Sequence, residues 1–152
     1  MVIAKMPFHL AVFDADAAEA IMEQEVSVQD WYLAGHSLGG VMASSLAADQ
    51  TDRVDGLIFL ASYPSNDLTD APFPVLSIYG SEDEVLNRES YAEAQGKLPD
   101  DYTEIVLDGG NHGQFGDYGP QEGDGTASFS ADQQQQQTVE AITAFIGNSH
   151  QQ

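Results

Sequence analysis

Apolar residues in this chain fall into two patterns that alternate: short continuous runs, and stretches with helical spacing. Met1-Val2-Ile3-Ala4 opens as a strand, and Pro7 breaks the pattern. Asp16 is placed to cap a helix from Ala17 to about Glu25, in which Ala17, Ala18, Ile21 and Met22 recur at helical spacing. Trp31-Tyr32-Leu33-Ala34 is the next strand, and Val41 to Ala48 the next helix, closed by Asp49-Gln50-Thr51-Asp52. Leu57-Ile58-Phe59-Leu60-Ala61 is apolar throughout, as a strand covered on both faces requires. Ser62 to Pro74 is polar and proline-bearing and reads as a loop, followed by a strand from Pro74 to Tyr79. A helix near Asn87–Gln95 and a strand over Thr103–Leu107 come next. A glycine-rich loop from Gly109 to about Thr126 precedes a last helix from about Ala131 to Ile146. Gln133–Gln137 is the only low-complexity tract; it reads as a solvated helix face behind a stripe of Val139, Ile142, Phe145 and Ile146.

Strands alternating with helices predict an α/β fold in three layers, with a mostly parallel sheet of about five strands. In such sheets the chemistry sits at the C-terminal ends of the strands. With 152 residues, no internal repeat and no composition break, one domain spans 1–152. A chain of this length buries about 70% of its unfolded surface.

Charge narrows the partners. Twenty-five acids stand against four bases, Lys5, Arg53, Arg88 and Lys97, for a net charge of −21. Such a surface repels nucleic acid and anionic membranes and favours solubility, with a saline habitat as a second reading. There is no cysteine, which excludes disulfides and thiol chemistry. No signal peptide and no apolar stretch of eighteen residues is present, which points to the cytoplasm if the chain is complete. No phosphate loop, dinucleotide-binding glycine pattern or metal-ligand spacing appears, and Gly123-Asp124-Gly125 reads as a turn, so no cofactor or metal is expected.

One hexapeptide carries chemistry. Gly35-His36-Ser37-Leu38-Gly39-Gly40 lies between a strand and a helix, where Gly-x-Ser-x-Gly forms a nucleophile elbow. The glycines at 35 and 39 would remove collisions around a strained, exposed Ser37. A serine hydroxyl needs a base and an orienting acid. Among the four histidines, His9, His36, His112 and His150, His112 follows a strand end on a glycine-bracketed loop and is the candidate base. Gly80-Ser81-Glu82-Asp83-Glu84 ends another strand, and its Asp83 is the candidate acid; Glu82, Glu84 and Asp108 are the alternatives.

From Ile3-Ala4-Lys5-Met6-Pro7-Phe8 through Gly35–Gly40, Tyr79–Asp83 and Gly109-Gly110-Asn111-His112 to Phe145, the chain resembles the α/β-hydrolases, in particular the small bacterial dienelactone-hydrolase-like proteins. Phe115 to Gln121, followed by Gly123-Asp124-Gly125, resembles a loop of that group. Dienelactone hydrolases proper use a cysteine nucleophile, so their activity is not implied here. In the family the strands are ordered 1-2-4-3-5-6-7-8. The opening strand here matches the fourth, which leaves the third missing and implies an N-terminally truncated fragment. The resemblance implies an oxyanion hole in which the Leu38 backbone N–H is one donor; Met6–Phe8 is the nearest, and poor, substitute for the second.

The expected function is therefore a serine hydrolase cleaving an ester or related small-molecule acyl substrate through Ser37, His112 and Asp83. Lining residues are expected among His9, His36, Tyr63, Phe115 and Tyr118. The fold also hosts acyltransferases, haloperoxidases and non-catalytic binders. The alternative is an impaired, truncated hydrolase-fold protein acting as a binding module. An exposed strand edge would admit a homodimer.

Overall fold

A computed structural model describes residues 1–4 and 17–149. The elements follow in the order α1 (Ala17–Gln24), β1 (Tyr32–His36), α2 (Leu38–Asp49), β2 (Gly56–Leu60), β3 (Val75–Gly80), α3 (Arg88–Ala94), β4 (Tyr102–Leu107) and α4 (Ala131–Ser149).

All strand pairs in the described sheet are parallel, in the order β1-β2-β3-β4. The register sets Tyr32 beside Gly56, Leu57 beside Val75 and Val75 beside Tyr102, so the C-terminal ends of the strands gather along one side. At the opposite side, Trp31 and Asp55 exchange main-chain and carboxylate bonds of 2.8 and 2.7 Å, which lock the starts of β1 and β2.

Alternation along β2 and β3 makes the three layers. Leu57, Phe59 and Val75 point to one face and pack with Met22 of α1, Ala47 of α2, and Leu68 and Phe73 of the loop that follows β2. Ile58, Leu76 and Ile78 point to the other face and pack with Leu107 and with Phe145 of α4. α3 lies on the face of α2, where the Tyr91 hydroxyl meets Ser77 Oγ of β3 at 2.9 Å. Leu57, Phe59, Val75, Leu76 and Ile78 are wholly buried. Each such side chain contributes about 1.5–3 kcal/mol relative to exposure.

Three expectations are corrected. Met1–Ala4 forms no strand, and the described sheet has four strands. Met1, Val2 and Ile3 stand exposed and pair with no described strand, so an apolar run without a ladder has nothing to hold it extended. Val139 is 61% exposed and does not belong to the apolar stripe of α4. In the glutamine tract, Gln134 is fully buried, because it faces the loop after β4 rather than solvent. Met6–Phe8, His9, Asp16 and His150 lie outside the described residues.

Candidate active site

Ser37 joins the end of β1 to the start of α2 at φ 52° and ψ −124°. A non-glycine residue at positive φ costs about 1–3 kcal/mol and persists only where its surroundings hold it. Here they do. The Ser37 N–H donates to Leu60 O at 3.0 Å, continuing the ladder to β2. The Ser37 carbonyl accepts from Gly40 N at 3.0 Å and from Ser62 Oγ at 2.6 Å.

The glycines divide differently from expectation. A Cβ on Gly35 would overlap the Gly39 carbonyl and the Gly40 nitrogen. A Cβ on Gly40 would meet Ser62 Oγ at 2.5 Å, whereas one on Gly39 meets nothing within 4 Å among the described residues. On the helix side of the turn the tight position is therefore Gly40, because α2 turns that residue, not Gly39, onto the exit of β2. Ala61, at that exit, is also left-handed, with φ 49°.

Beyond β3 the chain runs alongside the loop that follows β4. Ser81 N donates to Leu107 O at 3.0 Å and Glu82 N to Gly110 O at 2.8 Å. The approach is close enough that a Cβ on Gly80 would overlap the Gly110 carbonyl. This pairing delivers Asp83 to His112: Asp83 Oδ2 lies 2.9 Å from His112 Nδ1. Asp83 is 4% exposed and His112 1% exposed, whereas Glu82, Glu84 and Asp108 are exposed. Asp83 Oδ1 accepts the N–H groups of Val85 at 3.0 Å and Leu86 at 2.8 Å. Burial pushes the Asp83 carboxyl up, but the hydrogen bonds from His112, Leu86 and Val85 outweigh it and hold the group below its ordinary range.

With Asp83 accepting at Nδ1, the other ring nitrogen, Nε2, is the free acceptor of a neutral His112. Nε2 is buried and has no hydrogen-bond partner among the described residues. The Ser37 hydroxyl makes no bond to it in this structure; such bonds are often long without substrate and tighten when it binds.

His36 packs against His112 with ring centroids 4.6 Å apart, and its Nε2 donates to the His112 carbonyl at 3.1 Å. Burial, reinforced by the neighbouring His112 ring, lowers the His36 pKa to about 4. Phe115 and Tyr118 each lie 5.9 Å from the His36 ring. His36, Phe115 and Tyr118 thus form an aromatic wall beside His112. Tyr63 does not join them; it sits with Phe59, Ser62 and Tyr91 at a small internal gap on the α2 face. Leu38 opens α2, so its N–H has no acceptor within the helix and is available to a developing negative charge.

Two residues expected in a turn and on a solvated face, Asp124 and Gln134, also reach this loop. Asp124 accepts the His112 N–H at 3.1 Å, and Gln134 Nε2 donates to Asn111 O at 2.7 Å. Their only sequence signals, Gly-Asp-Gly and a glutamine run, are shared by ordinary turns and helices. Among the described residues no group of three or more histidines and acids is arranged to hold a metal ion. The arrangement can polarise a hydroxyl presented to Nε2 and hold the resulting imidazolium against Asp83.

A family model described as the alpha/beta hydrolase family matches residues 1–136. Comparison with curated proteins returns no match. Among solved structures, the chain is similar to a predicted CIB-like hydrolase from Thermoplasma acidophilum, at 22% identity and TM-score 0.54 over 67% of this chain and 52% of that one. It is similar to an alpha-beta serine hydrolase homologue from Coxiella burnetii, at 27% identity and TM-score 0.52 over 66% of this chain and 50% of that one. It is also similar to a structure of the metagenome-derived lipolytic enzymes LipS and LipT, at 14% identity and TM-score 0.69 over 93% of this chain and 75% of that one. The chain spans about half the length of the first two. The likeness is one of fold.

Proposed function

The chain belongs to the alpha/beta hydrolase family, and from that premise we propose that it is a serine hydrolase cleaving a small ester or related acyl substrate. One observation carries the reading: a buried Asp83–His112 pair, 2.9 Å apart, leaves Nε2 as the free nitrogen on the side of the sheet where Ser37 is held at positive φ.

The steps follow from these groups. Ser37 Oγ attacks the substrate carbonyl while its proton passes to His112 Nε2. Negative charge gathers on the carbonyl oxygen, where the Leu38 N–H donates. The imidazolium is held by Asp83, whose lowered pKa keeps it ionised. Collapse expels the alcohol, which takes the proton from Nε2, and leaves an acyl group on Ser37. Water then repeats the sequence, with its proton going to Nε2 and back to Ser37, and the carboxylic acid leaves. The wall of His36, Phe115 and Tyr118 suits an uncharged, apolar acyl or alcohol group.

The rival reading is a hydrolase-fold protein that binds without turnover. It draws on the unmade bond between Ser37 and His112. Labelling with a fluorophosphonate, together with turnover of a short-chain nitrophenyl ester, separates the two. The native chain is expected to label at Ser37, and Ser37→Ala to lose both labelling and several orders of magnitude in turnover with its fold intact. Equal turnover in Ser37→Ala would remove the serine from the mechanism, and a folded native chain that neither labels nor turns over would favour the binder.

A further inference from the structure

Asp83 holds the ring of His112, but the main chain beneath that ring is held by a different carboxylate. Asp124 lies twelve residues further along, on the turn closed by Asp124 N and Gln121 O. Its Oδ1 accepts the N–H of His112 at 3.1 Å and that of Gly125 at 2.9 Å. Its Oδ2 accepts the N–H of Gly113 at 2.7 Å. The His112 carbonyl accepts from His36 Nε2 at 3.1 Å and, at a longer 3.4 Å, from Phe115 N in the single turn that follows, so a side chain reaches each main-chain polar group of this residue.

We propose that Asp124 is a positioning residue for the base, acting on the His112 peptide and through it on the direction of Nε2. The proposal rests on the reading of His112 as the base of Ser37. Three N–H groups converge on two oxygens, which only an acceptor-only side chain satisfies in full. An asparagine has the same shape but turns an NH2 toward one of those N–H groups, donor against donor. With Nδ1 pinned to Asp83, any rotation of the His112–Gly113 peptides swings Nε2 about that pivot. A displacement of about 1 Å at a reacting group costs about a hundredfold in rate.

The test is the kinetics of Asp124→Asn on a short-chain nitrophenyl ester, with active sites counted by fluorophosphonate labelling and folding followed by thermal melting. The expected result is a fall of about thirtyfold or more in kcat per labelled site, with KM within about twofold and a matching fall in labelling rate. A role confined to loop stability would lower the melting temperature and leave kcat per labelled site within about threefold, and that outcome overturns the proposal. If Asp124→Asn does not fold, Asp124→Ser, which keeps one acceptor oxygen and adds no NH2, carries the same measurement. A native chain without labelling or turnover sinks the hydrolase reading and this proposal with it. A native chain that works, beside an Asp124→Asn that works equally well, sinks only this one.

Discussion

At His36 two demands meet: the ring stands beside the serine, and it has to stay uncharged there. Burial lowers its pKa from 6.5 to about 4, so between those values the unfolded chain binds a proton that the folded chain refuses. Stability therefore rises with pH across this window and is lost as pH falls from 6.5 toward 4, by roughly 1–3 kcal/mol once partial solvent screening is allowed for. Asp83 is shifted in the same direction. Its contribution is full above the ordinary carboxylate pKa and is lost as pH falls through its lowered value. Acid unfolding is thus expected in two stages. Denaturant titrations at stepped pH should show that His36→Gln flattens the upper stage and keeps the lower one; an unchanged slope between pH 6.5 and 4 would show that His36 is not its source.

Elements show how far the chain could be read without coordinates. β2 is legible because both its faces are covered, which demands an unbroken apolar run, Leu57–Leu60, and β3 keeps that pattern except at Ser77, whose hydroxyl meets Tyr91. The elbow is legible because a strand-to-helix turn this tight excludes side chains, at Gly35 above all. Asp83 stands out because a short acid three residues beyond a strand end has few places to go. Asp124 and Gln134 were not legible, since each acts on main-chain groups 12 and 23 residues away, and backbone partners leave no mark on composition. Within α4 the tract Gln133–Gln137 looks uniform, yet Gln134 alone is fully buried; its Oε1 accepts Asn111 N at 3.1 Å and its Nε2 donates to Asn111 O at 2.7 Å. Gln134→Leu strands both groups, at about 1–3 kcal/mol each. Gln137 is exposed, and Gln137→Leu should stay within about 0.5 kcal/mol. Chemical denaturation of the two variants checks this; equal effects would mean that the Asn111 clamp contributes nothing to stability.

On the scale of the whole molecule, a net charge of −21 sets the background against which every local contact acts. Self-repulsion of this size favours expansion, and salt shortens its reach, from about 30 Å at 0.01 M to about 3 Å at 1 M. The melting temperature is expected to rise steadily with sodium chloride over that range; a flat or falling curve would show that the acids are spaced too widely to oppose folding. α4 ties this charged body together from end to end. Gln134 grips the histidine loop near one end of the helix, while Phe145, 6.2 Å from the Tyr32 ring, packs at the start of β1 near the other. An α-helix turns about 100° per residue, so the two grips fit only one count of residues between them. One glutamine more or fewer between them would release either the loop or the core. A run of identical letters, where length looks like the freest variable in the chain, is here a measured distance.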